Sequence, residues 1–277
     1  VNLAAVAVIG GGRVGLSFAR ALHRAGHPVS VLTRREQRLP EPLELASTLW
    51  GPILSTVTAA LVAVPDDEIP AVAARIANLG VLNQRHVVLH LSGSLGREAL
   101  APLEPSGAGL GSLHPLQTFA DRDGDTPLRG VAAVLEGDNR AISVGRDLAM
   151  SVGMLPMAVD TAQKSLYHAA AVFASNYLVT LTAMAEKLAA KAGLTTARGL
   201  FLPIMRQTLL NLATNTPGDA LTGPIRRGDV GTVRAHLAAL QGDERALYAA
   251  LGRETLKLAA PHLSADVVAE LEGLLGA

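Results

Sequence analysis

The 277-residue chain contains no cysteine. That absence excludes disulfides, thiolate metal sites and cysteine nucleophiles together, while leaving the redox compartment open. Charge of one sign is missing too: 24 Lys plus Arg stand against 24 Asp plus Glu. There is also no cationic tract of the kind that coats a phosphate backbone, so nucleic acid is not an expected partner. No uninterrupted apolar run reaches the roughly 18 residues of a membrane span, and no secretory signal is visible; the expectation is a cytoplasmic protein with no membrane partner. No metal site is expected, and neither internal repeats nor low-complexity tracts stand out. What remains is a chain of 49% hydrophobic and 17% charged residues, dry and long enough for two domains around a large core.

The apolar run from Leu3 to Ile9 leads into Gly10-Gly11-Gly12-Arg13-Val14-Gly15, a helical stretch, and a second strand ending at Thr33-Arg34-Arg35. A G-x-G-x-x-G string means little alone, but between a strand pattern and a helix pattern it predicts a dinucleotide site. Gly10 permits the tight turn, Gly12 lets backbone approach a pyrophosphate, and Gly15 lets helix and strand pack closely. Arg13 and Val14 open a helix whose N-terminus supplies free N–H groups and a positive dipole end. The end of the second strand sharpens the cofactor. Sites that take NAD place a carboxylate there for the ribose hydroxyl, whereas Thr33, Arg34 and Arg35, with Arg38 nearby, predict NADP(H) with its 2'-phosphate held by hydroxyl and guanidiniums. Glu36 partly offsets that charge.

The first half alternates short apolar runs with helical patterns: Val29 to Leu32, Leu61 to Val64, Val87 to Leu91, Gly109 to Leu113 and Val131 to Leu135 read as buried strands. This predicts an α/β, doubly wound Rossmann-type sheet over residues 1–158 and an all-α C-terminal domain over 159–277. Strand-end loops rim ligand pockets in such sheets, which places Val64 and Pro65 against the cofactor. Residues 34–60, broken by Pro40, Pro42 and Pro52, are read as a helix and a short strand. Asp160 and Gln163 resemble a capping box, and from Thr161 the chain runs without Pro or Gly to Gly193. A continuous helix of about 30 residues and about 45 Å is expected, suited to a homodimer interface built from the C-terminal helices. Further helices are expected around Leu200 to Thr214, Val230 to Gln241, Asp243 to Leu258 and Ser264 to Leu275.

On that helix Lys164, His168 and Ser175 fall within about 40° of one face, so Lys164 and His168 are expected to address one ligand. The ammonium suits polarising or protonating a carbonyl oxygen, and the imidazole suits orienting substrate or relaying a proton. Asn176, about 18 Å along the axis from Lys164, is read as packing. His114, in Ser112-Leu113-His114-Pro115 at a strand's carboxyl end, is the second candidate acid or base. Ser92 and Ser94 either donate to substrate or simply shape the turn at Gly93. In the loop Leu221-Thr222-Gly223-Pro224-Ile225-Arg226-Arg227-Gly228-Asp229, an arginine fork from Arg227 or Arg226 matches a substrate carboxylate, with Thr222 and Asp229 shaping the site. The alternative is an interhelical turn in which Asp229 caps the next helix.

The succession Gly-x-Gly-x-x-Gly, Val-Pro-Asp-Asp, His-Leu-Ser-Gly-Ser, Gly-Ser-Leu-His-Pro-Leu-Gln, Tyr-His-Ala-Ala-Ala-Val-Phe-Ala-Ser-Asn-Tyr and Leu-Thr-Gly-Pro-Ile-Arg-Arg-Gly-Asp resembles a family of Rossmann-like oxidoreductases whose helical C-terminal half is a domain of unknown function. The resemblance spans nearly the whole chain. That family is similar in architecture to ketopantoate reductases, pyrroline-5-carboxylate reductases and 6-phosphogluconate or β-hydroxyacid dehydrogenases, which are NADP- or NAD-linked with helical dimerising domains. It implies that Lys164 stands in the place of their general-acid lysine and that His168 replaces an asparagine. Ser94 and His114 also look like the serine and His-Pro elements of prephenate dehydrogenases. The expectation is an NADPH-dependent reductase of a small carboxylate-bearing ketone, ketopantoate-like. The alternatives are a cyclic imine reductase similar to pyrroline-5-carboxylate reductase, or a non-enzymatic NADP(H)-binding sensor.

Overall fold

A computed structural model describes residues 4–43, 45–121, 125–194 and 199–276, with only the backbone of Leu45. Leu3, at the head of the expected first strand, lies outside them. Two compact units divide the chain, Val1–Asn176 and Tyr177–Ala277.

In the first unit, β1 (Val6–Ile9) enters α1 (Arg13–Arg24) and β2 (Val29–Leu32). A small antiparallel ribbon of β3 (Gln37–Arg38) and β4 (Leu45–Ala46) follows, then α2 (Trp50–Leu54). Next come β5 (Ala59–Val62), α3 (Ile69–Asn78), β6 (Val87–His90), β7 (Gly109–Pro115), β8 (Ala132–Gly137), α4 (Asn139–Ser151) and β9 (Leu155–Ala158). The main sheet has the order β2-β1-β5-β6-β7-β8-β9. Every pair is parallel except β7 with β8. Chain direction across the sheet reverses between β1 and β5, and the crevice beyond the carboxyl ends of such strands is where open α/β sheets take ligands.

Alternation explains why the strands read as continuous apolar runs. Val6 and Val8 enter one core with Phe18 and Leu22 of α1 and Leu148 of α4. Ala7 and Ile9 enter the other, with Leu54 of α2 and Ile69 and Ile76 of α3. With both faces covered, every position of β1, β5 and β6 is buried, whereas the edge strand β9 leaves Leu155 and Met157 exposed.

Helix α5 (Lys164–Ala174) completes the first unit after a 3-10 turn at Thr161–Gln163. Two local expectations are corrected here. Asp160 opens the turn without a side-chain capping bond. The single long helix is two: the backbone at Ser175 turns to φ −124°, ψ −67°, and α6 (Asn176–Lys191) begins anew. Ser and Asn side chains compete for backbone hydrogen bonds, which makes this pair a weak point in an otherwise favourable helix. Gly193, at φ +88°, ends α6 in the left-handed conformation.

The second unit continues with α7 (Leu202–Leu212), α8 (Pro217–Ala220), α9 (Val230–Ala239), α10 (Gly242–Ala259) and α11 (Ala265–Leu275). Val233, Leu237, Leu256, Ala259, Leu271 and Leu275 form its core. Among the described residues no helix is long and apolar enough to cross a membrane.

Candidate functional site

A cleft of about 1140 Å³ opens at the switch point, lined by Gly10, Gly11 and Gly12, by Thr33, Arg34 and Arg35, by Val64 and Pro65, and by Gln37, Trp50, Glu68 and Arg75. Gly10 sits at φ +119°, and a Cβ there would overlap the Ala63 carbonyl. A Cβ on Gly15 would overlap the Gly10 carbonyl, so helix and strand approach as closely as backbone allows. Arg13, Val14 and Gly15 form the first turn of α1, which has no side-chain cap and no acidic residue. Its first intrahelical bond is Leu16 N–H to Gly12 O, leaving the preceding N–H groups for an anion. A Cβ on Gly12 would meet nothing within 4 Å. The turn fits a pyrophosphate.

At the end of β2, the Thr33 hydroxyl donates to Arg35 O at 2.6 Å, and Arg34 stands 3.6 Å from Glu68 with most of its side chain exposed. Sequence reasoning missed three wall residues that come from elsewhere in the chain. Trp50 Nε1 donates to Thr33 O at 2.9 Å, the Arg75 guanidinium lies 3.9 Å over the Trp50 ring, and Gln37 extends over Gly11. This end of the cleft is cationic, with a flat aromatic and guanidinium surface.

A second constellation lies further along the same carboxyl edge. Asp66, just past β5, accepts the hydroxyl protons of Ser92 at 2.7 Å and Ser94 at 2.8 Å. Ser92 Oγ also accepts the N–H groups of Ser94 and Leu95. Both serines therefore shape the turn and spend their protons on Asp66. His90, fully buried, hydrogen-bonds Gly96 O through Nε2 at 2.9 Å and accepts Ser92 N–H at Nδ1. Burial holds its pKa below the ordinary value, and as a neutral ring it ties down both ends of the loop.

His114 projects from the end of β7. Its Nδ1 is 2.7 Å from the Tyr167 hydroxyl, with the Tyr167 and His168 rings edge-on at 5.8 and 6.1 Å. Burial, then the neighbouring His168 and Lys164, push the imidazole down to about 4, while burial pushes the Tyr167 phenol up to about 12. Gly93 is packed against both imidazoles: a Cβ there would lie 2.7 Å from His114 Cε1 and Nε2 and 2.8 Å from His168 Cδ2.

Lys164 and His168 make different contacts, although both lower the pKa of His114. The Lys164 ammonium, 3% exposed, donates to Ser112 Oγ and lies 3.7 Å from the Glu136 carboxylate. Ser112 donates to one Glu136 oxygen at 3.3 Å and Thr161 to the other at 2.7 Å. Register explains the meeting: Ser112 faces Glu136 across the antiparallel β7–β8 pair, and α5 starts where Lys164 drops onto both. Burial lowers the lysine's pKa and Glu136 pulls it back up. Asp66, Tyr167 and Glu136 were all missed by sequence reasoning. The signals were present, in a carboxylate at a strand end and a glutamate inside an apolar run.

In the second unit, Thr222, Gly223, Arg226, Arg227 and His262 line an open depression of about 630 Å³. Asp229 is committed as the cap of α9, accepting Thr232 N–H at 3.0 Å and the Thr232 hydroxyl at 2.7 Å, and these bonds lower its pKa. The pairs His23–His27 and His86–His90 are each four residues apart, yet among the described residues no three His, Cys, Asp or Glu side chains gather into a metal-binding group.

Residues 2–115 match the model of a Rossmann-like domain, and residues 131–255 match that of a domain of unknown function, DUF2520. No curated protein matches the chain. Among solved structures, a Bacteroides fragilis protein named with the NADP oxidoreductases is similar at 22% identity and TM-score 0.68, over 92% of this chain and 98% of that one. A Thermotoga maritima protein is similar at 23% identity and TM-score 0.68, over the same shares. The pyrroline carboxylate reductase of Plasmodium falciparum, solved with NADP bound, is similar at 12% identity and TM-score 0.57, over 99% and 96%. These likenesses share the fold.

Proposed function

We propose that this chain, a Rossmann-like domain joined to DUF2520, is an NADP(H)-dependent reductase of a small carboxylate-bearing ketone. The observation that carries the reading is the continuity of one carboxyl edge. An anion-ready glycine turn ends β1, a hydroxyl and two guanidiniums, one of them 3.6 Å from Glu68, end β2, and the His114 constellation ends β6 and β7. Structural neighbours named as NADP-linked reductases support the cofactor. When bound, the dinucleotide supplies a hydride. The chain's own part is to hold the acceptor and deliver one proton. We assign that delivery to His114, because the Lys164 ammonium is enclosed by Ser112 and Glu136. Lys164 contributes a buried positive charge near the imidazole, and the Arg226 and Arg227 guanidiniums of the second unit are of the kind that matches a carboxylate.

One observation favours a cyclic imine instead. The first unit places the Asp66 carboxylate among the groups that face His114, and a protonated imine is the acceptor that a nearby carboxylate stabilises. NADPH oxidation against 2-keto acids, 3-keto acids and cyclic imines decides between them. Turnover of a keto acid supports the first reading and turnover of imines alone the second. Silence across a broad panel, with NADPH still bound, overturns both in favour of a sensor.

The chain is further proposed to work as a homodimer through its C-terminal helices. Val179 on α6 and Leu202, Ile204, Leu209 and Leu210 on α7 are 53 to 69% exposed, and apolar surface of that extent is what self-association covers.

A further inference from the structure

The imidazole of His114 meets two rings from α5 that do different things. His168 stands edge-on and makes no hydrogen bond among the described residues. Tyr167 holds Nδ1 at 2.7 Å. Tyr167, pushed up to about 12, and His114, pushed down to about 4, are both uncharged across the neutral range. A phenol O–H is a stronger donor than an imidazole N–H and an imidazole nitrogen a stronger acceptor than a phenol oxygen, so the hydroxyl donates to Nδ1. A neutral imidazole that accepts at Nδ1 carries its own proton at Nε2.

That Nε2 edge faces the bare Cα of Gly93, 2.7 Å from where a Cβ would stand. The absent Cβ lets the ring lie against the backbone, and the described residues supply no hydrogen-bond acceptor for its N–H. Ser92 and Ser94, both tied to Asp66, fix the Gly93 backbone on which the ring rests.

We infer that Tyr167 is the positioning residue of the site: its hydroxyl fixes His114 as the Nε2–H tautomer, which can donate to the carbonyl oxygen or imine nitrogen of a ligand. The identity of that acceptor rests on the reductase reading; the tautomer does not. The proton balance closes. As the acceptor atom takes the Nε2 proton, Nδ1 takes the Tyr167 proton and a phenolate remains. Water then gives a proton to Nε2 and leaves as hydroxide, which the solvent neutralises, and Nδ1 returns its proton to the phenolate. The charged and titratable groups around the imidazole are Asp66 after β5, His90 on β6, and Lys164 and His168 on α5. Asp66 favours the imidazolium, and the other three oppose it.

The test is Tyr167→Phe, which keeps the ring and removes only the hydroxyl. Proton–nitrogen NMR of imidazoles in the cofactor-free protein reads the tautomer directly. In the unsubstituted chain His114 carries its proton on Nε2; in Tyr167→Phe both tautomers are populated and the His114 pKa rises above about 4, because the bond favouring the neutral ring is gone. A proton on Nδ1 in the unsubstituted chain, or a tautomer untouched by Tyr167→Phe, overturns the inference whether or not the variant is active. In turnover, kcat falls by roughly 10- to 100-fold while NADPH affinity stays within about twofold. An unchanged kcat overturns the relay. Silence of the unsubstituted chain on every substrate overturns the reductase reading and leaves the NMR result to decide on Tyr167.

Discussion

At the end of β1 the chain presents backbone: a glycine turn without Cβ atoms, uncapped helical N–H groups and an open cleft. At the ends of β6 and β7 it presents side chains, and nearly all are already spoken for, Ser92 and Ser94 by Asp66, Tyr167 by His114, Lys164 by Ser112 and Glu136. The first region waits for a ligand's charge, while the second supplies its own and hides it. Ligand binding should therefore dominate the response to mutation in the cleft, and folding should dominate it in the cluster.

The largest effect that separates the two regions is expected at Lys164. Lys164→Ala strands the Glu136 carboxylate, 1% exposed, and should cost about 3–5 kcal/mol in denaturant unfolding. The paired variant Lys164→Met with Glu136→Leu removes both charges and should recover most of that loss. A double variant as unstable as the single would show that the cluster is not an electrostatic unit. Next in size is the cationic wall. Arg34→Ala with Arg35→Ala should weaken NADPH binding by roughly 10- to 100-fold, with NADH binding and Tm nearly unchanged. Equal loss for both cofactors would dissolve the 2'-phosphate assignment. The smallest effect is expected at Arg75, which lies over Trp50. Arg75→Ala should weaken NADPH binding several-fold, the loss of about 1 kcal/mol of cation–π and stacking surface. A loss of stability larger than the loss of affinity would make Arg75 a prop for Trp50 and nothing more.

The cleft was legible because its parts are contiguous. Gly10 to Gly15 and Thr33 to Arg35 each act within one turn of chain, so spacing alone states the geometry. Trp50, Arg75 and Gln37 escaped because their meeting depends on α2, α3 and the β3–β4 ribbon folding back on the β2 end. Lys164 and His168 share a helical stripe, and helical spacing implies a common ligand; what spacing does not reveal is that the ammonium also meets a buried carboxylate on β8. The unbroken helix from Thr161 to Gly193 shows the same limit from another side. The absence of Pro and Gly permits a continuous helix, but Ser175 and Asn176 let it stop.

The sequence by itself determined the apolar runs that bury both faces of the central strands and the glycine turn that ends β1. These follow from side-chain period and local sterics, which each segment carries wherever it goes. Only the tertiary structure decided which polar groups meet. The antiparallel register that sets Glu136 opposite Ser112, the entry of α5 that drops Lys164 onto both, and the turn of Tyr167 toward His114 all depend on pairings between segments far apart in the chain. No local period encodes those pairings, because each is selected by the burial of the whole unit.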